Sequence, residues 1–392
     1  RAVYVGNDVY ARSQSAPTSV EVLGPSSFLE DVAPDVQALL EEGTRLGLER
    51  TLEALDATVR HARDGLTPTT STTSADSSSA DTSSADTTSA DTMSDGVEDV
   101  AYDASVTHDG REGTADVFLD ATARLNGVRL GIDTTYTATW GGGTPSSGTW
   151  SARLHADRLL TPSTLLPQDV LAGGVVTVDR TTGDVERGSL AGRRNVTSVA
   201  LAAYAVTPLT PNLTVDAYGG IGFVRVGLDV ENDDVTITTR PTTPHVQVGI
   251  GTTGSATWGA VTFTPRLAVA MAHATSGTAS LAMHAFDMTE TGRVTTDAQT
   301  VVRAAFDPTL ELDALDLLNA TWLRDRTLDV SLTPTLTCSV PLDEGEALAC
   351  GYGVRTTLAT PIAVGTTLDA GVTYERRNVH DLGVRLSIER RY

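Results

Sequence analysis

The chain contains no lysine. All 28 basic residues among its 392 are arginine, and they face 50 aspartates and glutamates, so that the formal net charge is −22. Such a charge excludes a general nucleic-acid-binding protein, because phosphate would be repelled. A GC-rich genome explains arginine without lysine, and so does adaptation to high salt, where the self-repulsion of an acidic surface is screened.

Long apolar runs are also absent. No stretch of 18 or more apolar residues occurs, which excludes a transmembrane helix. A transmembrane barrel would produce no such run, because its strands alternate between apolar and polar residues. Aromatic residues make up only 5% of the chain, so any aromatic girdles would be thin.

Cysteine occurs only twice, at Cys338 and Cys350. The residues between them are turn-like, and alternating segments flank them on both sides. This pattern predicts a hairpin closed by a disulfide, and hence an oxidising compartment. The alternative is two unrelated buried thiols. Two cysteines are too few for a structural zinc site.

Residues 1–66 carry the one strong helical pattern of the chain. Pro34 suits a first turn, and leucines such as Leu39, Leu46, Leu52 and Leu55 recur at three-to-four spacing. These features predict an amphipathic helix over 34–64. Such a helix docks on the core of its own chain, plugs a barrel, or binds a partner subunit.

Residues 67–96 form a low-complexity segment in which Ser-Ala-Asp recurs every five residues. With almost no large apolar side chain, the segment cannot offset its ordering entropy by burial, which predicts a disordered linker. The alternatives are an O-glycosylated stalk and a calcium-binding aspartate array. The aspartate spacing does not match an EF-hand loop.

Residues 97–392 are β-rich, with alternating segments of about 8 to 14 residues separated by Gly, Pro, Asn and Asp clusters. Short junctions such as Asn126-Gly127 look like tight turns, whereas 181–192, 231–243 and 339–349 look like longer polar loops. The pattern predicts an all-β fold, an antiparallel transmembrane β-barrel of about 12 to 14 strands with its helix and linker in front. A soluble β-sandwich or solenoid is the alternative.

The alternation also predicts which side chains face outward and which face the lumen. The residues predicted for the apolar outer face are Leu130, Ile132, Tyr136, Leu154, Val372, Leu386 and Ile388. Charged residues of both signs lie on the opposite face, where they line a channel or close a narrow lumen. The residues predicted to face the lumen are Arg129, Asp133, Arg153, His155, Asp157, Arg355, Glu375, Arg385 and Glu389.

No catalytic constellation emerges from the sequence. The Gly-x-Ser-x-Gly, P-loop and His-Glu-x-x-His patterns are absent, and no cofactor or metal site is predicted. His155 and Asp157 lie on one strand face, which is the arrangement that a barrel hydrolase would use. A hydrated ionic pair with Arg153 is the plainer interpretation, and we expect no enzymatic activity.

The last strand is the most specific signal. Leu382, Val384, Leu386 and Ile388 alternate with polar residues or glycine, and the chain ends on Tyr392. This ending resembles that of bacterial outer-membrane β-barrels, whose last strand commonly carries a C-terminal aromatic that the insertion machinery reads. Such a strand pairs with the first and leaves no open edge.

The resemblance implies an outer-membrane location, with membrane lipid and the barrel-assembly machinery as partners. A helix followed by a barrel also resembles the translocator domain of autotransporters, in which a helix threads a 12-stranded barrel. A porin-like or structural surface barrel fits as well, and helix 34–64 then serves contacts with other subunits. The alternative class is a secreted or cell-surface β-rich assembly protein of a halophile or a virion.

Overall fold

The computed structural model describes residues 3–4, 13–14, 29–64 and most of 96–391. Within the last range the connecting segments 110–111, 141–146, 163–167, 260, 286–287, 314–328, 342–348, 364–365 and 377–379 are not described. The predicted linker therefore lies outside the described residues up to residue 95, as does Tyr392. Gly96 already belongs to the first long strand.

The described residues form one helix and twenty-two strand segments. The helix is α1 (Leu29–Asp64). The strands are β1 (Val3–Tyr4), β2 (Ser13–Gln14), β3 (Gly96–Asp109), β4 (Glu112–Leu125), β5 (Val128–Trp140), β6 (Ser147–Leu160), β7 (Val170–Arg187), β8 (Leu190–Thr210), β9 (Leu213–Glu231), β10 (Thr236–Thr239), β11 (Thr242–Gly254), β12 (Ala256–Trp258), β13 (Val261–Thr264), β14 (Arg266–Ala274), β15 (Gly277–Ala285), β16 (Met288–Thr296), β17 (Gln299–Phe306), β18 (Thr309–Asp313), β19 (Asp329–Pro341), β20 (Ala349–Ala363), β21 (Thr366–Arg376) and β22 (His380–Arg391).

All strands from β3 onward belong to one antiparallel sheet, and its pairing order closes into a barrel when β22 pairs with β3. Three of its strands are interrupted. The segments β10 to β12 together form one interrupted barrel strand, β13 to β15 form the next, and β16 to β18 form a third. The segments of each strand pair antiparallel with those of its neighbour. With β3 to β9 and β19 to β22, the described residues thus form fourteen barrel strands, within the predicted number.

The barrel has two ends, which we name by the chain. At the proximal end β3 begins and β22 ends, and the two-residue turns Asn126-Gly127 and Pro211-Asn212 connect strands. Asn126 and Gly127 both have positive φ, as a tight hairpin turn requires. The distal end carries the turn Gly188-Ser189 and the connection 232–235.

Two of the predicted longer loops are mostly strand. Within 181–192, β7 and β8 continue to the turn at Gly188, whose φ is +58°. Within 231–243, the strands are interrupted at 232–235 and at 240–241, and β10 between them pairs with β9. Polar outward residues made these segments look like loops, but inward residues such as Val185 and Leu190 are buried and keep the strands paired. The connection 342–348 lies outside the described residues.

The outer wall of the barrel is apolar. Ile132 is 51% exposed and Leu154 is 58% exposed, and Leu130, Tyr136 and Val372 are exposed in the same way. Two stacked sheets would have buried these side chains between them. The predicted antiparallel β-barrel with one N-terminal helix is therefore confirmed. The side chains of Leu386 and Ile388 lie outside the described residues.

Among the described residues, no helix combines the length and the apolarity that crossing a bilayer demands.

Candidate functional site: a helix-filled lumen

The helix begins earlier than the sequence indicated. It starts at Leu29 instead of 34 and ends at Asp64, as predicted. Glu30 and Asp31 occupy its first turn, where the helix dipole favours acidic residues. Pro34 therefore sits inside the helix, and the burial of Val32 against the barrel wall helps to hold the additional turn.

The helix lies inside the barrel. From 35 to 63 every residue is buried or half-buried, which a helix docked on an outer surface could not show. It packs against β6 to β9, β11, β14, β16 and β17. At 1.5 Å per residue its 36 residues span about 54 Å, which is enough to thread the barrel.

The contacts along the helix give its direction. Asp35 lies beside Arg187 at the distal end, with 3.7 Å between Oδ1 and Nε. In the middle, the Thr51 hydroxyl lies 3.3 Å from that of Ser198. Toward the proximal end, Arg63 donates to the Thr253 hydroxyl at 2.7 Å. The chain thus enters the lumen at the distal end and runs toward the end where β3 begins.

The distal half of the lumen is an apolar core. Leucines of the helix such as Leu40 and Leu48 are fully buried together with inward side chains of the wall, among them Val226, Leu228 and Ile237. Transmembrane barrels more often have polar interiors. Here the apolar inner wall matches the leucine face of the helix, so the helix completes the core of the barrel.

Two helix glycines bring the helix close to β9. Gly43 and Gly47 are four residues apart and lie on one helix face. A Cβ added at Gly43 would lie 2.7 Å from Cγ1 of Val226, and one at Gly47 would lie 2.6 Å from Cγ1 of Val224. Only residues without a side chain fit here, because such distances are too short for carbon atoms.

Ionic contacts hold the proximal half of the helix. Asp56 accepts from Arg60 at 2.8 Å and from Arg266 at 2.6 Å, and Arg303 lies 3.6 Å away. Arg60 also contacts Asp307 at 2.6 Å. Asp56, Arg266 and Asp307 are nearly inaccessible to solvent, so these charges rely on one another instead of on water.

Five of the residues predicted to face the lumen meet on β5 and β6. Arg129 donates to both carboxylate oxygens of Asp157, at 3.1 and 2.9 Å, and the Tyr204 hydroxyl donates to Asp157 at 2.6 Å. Arg153 pairs with Asp133 instead of Asp157, and it also donates to the backbone oxygen of Ala54 in the helix at 3.3 Å.

His155 is part of the contact between wall and helix. It is 2% exposed, and its ring lies edge-on to that of His61 with 5.5 Å between the centroids. Gly131 lies opposite His155 on β5 and leaves room for the ring. Asp157 accepts hydrogen bonds from Arg129 and Tyr204. His155 therefore packs against the helix, and Asp157 belongs to an ion pair of the wall.

The remaining predicted residues fall in the less fully described part of the wall. Arg355 on β20 is exposed, and its partner in the sheet is Thr333. Glu375, Arg385 and Glu389 lie on β21 and β22, but their side chains are outside the described residues. Cys338 and Cys350 face each other across β19 and β20 and are joined by a disulfide.

The sequence did not single out the Asp56 cluster. Asp56 and Arg60 stand four residues apart, which on a helix is a recognisable ion pair, but that spacing alone indicates a surface pair. Arg266, Arg303 and Asp307 come more than 200 residues later, and only the closed barrel brings them to the helix. Among the described residues, no group of His, Cys, Asp or Glu is arranged to hold a metal ion.

The comparisons with known proteins give structural likeness only. No protein-family model and no curated protein matches the sequence. The solved β domain of the Bordetella autotransporter BrkA is similar over 72% of this chain and 100% of its own, with 11% identity and a TM-score of 0.46. The translocator domain of the autotransporter NalP from Neisseria meningitidis is similar over 87% of this chain and 96% of its own, with 12% identity and a TM-score of 0.42. The monoaromatic hydrocarbon channel CymD is similar over 76% of this chain and 89% of its own, with 8% identity and a TM-score of 0.44.

Proposed function

We propose that the chain is a non-enzymatic bacterial outer-membrane β-barrel that holds a segment of itself in its lumen, as a translocator does. The observation that carries this proposal is the path of α1. The chain enters the lumen at the distal end, runs along its length, and leaves toward the end where the first barrel strand begins. A barrel that passes its own N-terminal part across a membrane would have this topology.

The outer wall supports the membrane location. On β9 the outward residues from Leu213 to Phe223 are apolar or glycine. Ten residue steps at about 3.4 Å cover about 34 Å of strand, which at the usual tilt is close to the 25 Å apolar band of such barrels. Lipid accepts these side chains, and a closed barrel offers it no unpaired strand edge.

A second candidate is a channel that the helix narrows. Among the described residues, the extensive packing of α1 involves β6 to β9, β11, β14, β16 and β17, whereas no comparable packing reaches β3 to β5 or β19 to β22. Arg355 on that opposite side is exposed. The helix thus lies against one wall, and a hydrated passage along the other wall would make the barrel porin-like.

Two epitope tags in the full chain test the translocator proposal. One tag is inserted between Ser15 and Ala16, before the helix, and the other between Ala80 and Asp81, after it. In intact cells the first tag should be accessible to antibody, and the second only after the outer membrane is permeabilised. Both tags on the same side of the membrane would contradict the proposal.

A crosslink separates the two candidates. Cysteines at Thr51 and Ser198, introduced in the full chain, should form a disulfide because their hydroxyls are 3.3 Å apart. The oxidised protein in a planar bilayer should conduct weakly if the helix fills the lumen. A high, unchanged conductance with the helix crosslinked would favour the channel that passes beside the helix.

A further inference from the structure

A row of polar side chains crosses the outer wall near its distal end. Arg180 on β7 is the sheet partner of Thr197 on β8, Thr197 is the partner of Arg225 on β9, and Arg225 is the partner of Thr242 on β11. Arg180 and Arg225 are exposed. The row therefore places two cations on the outside of the barrel, two strands apart.

The rows directly below this one are apolar. Val178, Val199, Phe223 and Pro244 are partners across the same four strands, and the next outward row runs through Val176, Leu201, Ile221 and Val246. Ile221 is 62% exposed. The change from arginine to apolar residues takes a single step of the strand pleat, which is how a protein surface meets the boundary between headgroups and hydrocarbon.

Above the row lies a polar cleft of about 390 Å³. Arg193 and Arg240 join Arg180 and Arg225 around it, so that four arginines line one depression. Gly227 also lines it, and a Cβ at that position would meet Asn195 at 3.5 Å and Arg240 at 3.8 Å.

The charge of the cleft is positive. Asp229 also lines it and accepts from Thr238 at 3.4 Å, and Arg193 lies 3.5 Å from the carboxylate of Asp184 in an exposed pair. Among the described residues, Arg225 and Arg240 have no carboxylate within ion-pair distance. Four arginines at one point of a chain with net charge −22 form a site where an anion would be favoured.

An apolar groove of about 570 Å³ continues from the cleft down the same strands. Val176, Leu201, Ile221, Phe223 and Val246 line it, and they are the residues of the apolar rows. At its edge His273 is hydrogen-bonded to the Thr300 hydroxyl at 2.8 Å, which occupies one ring nitrogen. The groove can therefore hold hydrocarbon and offers little to a polar ligand.

We propose that cleft and groove together bind one anionic phosphorylated lipid, with its phosphate among Arg180, Arg193, Arg225 and Arg240 and its acyl chains along the groove. The proposal rests on the membrane location proposed above. Guanidinium groups bind phosphate with paired hydrogen bonds, and arginine suits this role better than lysine. The order of the two regions, cation above hydrocarbon, matches the two parts of such a lipid.

The experiment uses the full chain in dodecyl maltoside micelles and native mass spectrometry of the bound lipid. Dimyristoyl phosphatidylglycerol, dimyristoyl phosphatidylcholine and dimyristoylglycerol are compared at equal concentration. Phosphatidylglycerol should be retained most, because it alone combines acyl chains with a net negative phosphate. Equal retention of all three lipids by the folded protein would overturn the proposal while leaving the membrane location intact.

Variants localise the site. Arg225→Gln together with Arg240→Gln should reduce phosphatidylglycerol retention about tenfold or more, since a charge-assisted hydrogen bond lost at each position is worth roughly that factor. Arg158→Gln is the matched control, because Arg158 is an exposed outward arginine on β6 that lines neither the cleft nor the groove. An equal loss in the control would overturn the assignment.

A groove variant and a competitor distinguish lipid from free anion. Val246→Trp fills the groove and should also lower lipid retention, although it leaves all four arginines in place. Inorganic phosphate should compete poorly, because it gains nothing from the groove. If phosphate displaces the lipid fully and Val246→Trp has no effect, the cleft binds anions only and the lipid proposal fails.

Discussion

At the scale of single residues, buried charges determine where the helix sits. Asp56 is the carboxylate that three arginines share, Arg60 from the helix itself and Arg266 and Arg303 from the wall. Removing one member of a buried ionic cluster leaves its partners without compensation, which costs more than the cluster itself contributes. Asp56 therefore has a larger effect on stability than any exposed pair of the helix.

We expect Asp56→Asn to lower the free energy of unfolding by about 3 kcal/mol, because buried arginines lose their shared counter-charge. Glu53→Gln is the matched control, since its pair with Arg50 is partly exposed and is worth less than about 1 kcal/mol. Urea titration followed by the loss of heat-modifiable gel migration measures both. Equal effects of the two substitutions would contradict the role given to Asp56.

At the scale of elements, the fit between α1 and β9 depends on the absence of two side chains. The glycines at 43 and 47 lower helix propensity by about 1 kcal/mol each relative to alanine. Their retention follows from close packing, because a methyl group at either position would overlap a valine of the wall.

Gly47→Ala should therefore destabilise the protein by about 1–3 kcal/mol, because overpacking against Val224 exceeds the gain in helix propensity. Val224→Ala added to it should restore part of the loss. The double-mutant cycle on urea stability gives the coupling between the two positions. A stabilised single mutant, or no coupling, would show that the helix does not lie against β9 at this point.

The disulfide acts at the same scale, on one hairpin. Cys338 and Cys350 are sheet partners on β19 and β20, twelve positions apart. Replacing both by serine should cost about 2–3 kcal/mol, because the unfolded chain loses a short closed loop. Thiol labelling under native conditions should detect no free cysteine in the wild type. Labelling of both cysteines would refute the bond.

At the scale of the whole molecule, the outer wall and the lumen of the barrel have different surroundings. Its outer wall is apolar over the height of a membrane, and its lumen holds a helix whose apolar residues are buried along its length and whose proximal half also carries the buried ionic cluster of Asp56. In water the exposed leucines and isoleucines of the outer wall would be an aggregation hazard. In lipid the same apolar side chains have a low free energy, because hydrocarbon surrounds them instead of water.

Ile221→Arg tests this arrangement. In lipid, an arginine at Ile221, inside the apolar band but only two outward positions from Arg225, should lower stability by about 1–3 kcal/mol, because the cost falls from about 2–4 kcal/mol at the midplane toward the interface. Thr291→Arg is the control, because Thr291 is exposed on β16, further toward the distal end than Arg293. Folding into detergent micelles, scored by unboiled gel migration, compares them. If Ile221→Arg proves harmless and removes the need for detergent, the outer wall does not contact lipid.

The sequence by itself determined the barrel and, for described strands such as β6, the face on which the side chains lie. Alternation with a period of two assigns Leu154 to the outside and His155 to the inside without knowledge of any contact, and the leucine period does the same for the helix. It did not determine where the helix begins, because Pro34 is tolerated once Val32 is buried against the wall.

Tertiary structure alone decided what meets inside the lumen. Three contacts depend on how strands from distant parts of the chain align. They are the pair of Arg153 with Asp133 instead of Asp157, the pair of Asp56 with Arg266, and the packing of Gly47 against Val224. Register between strands is set by turns and by the closure of the barrel, and a pattern within one strand carries no information on its neighbour. The physical reason is that periodicity gives only the face of the strand or helix to which a side chain points. A contact depends in addition on where the second side chain points and on the distance between the two.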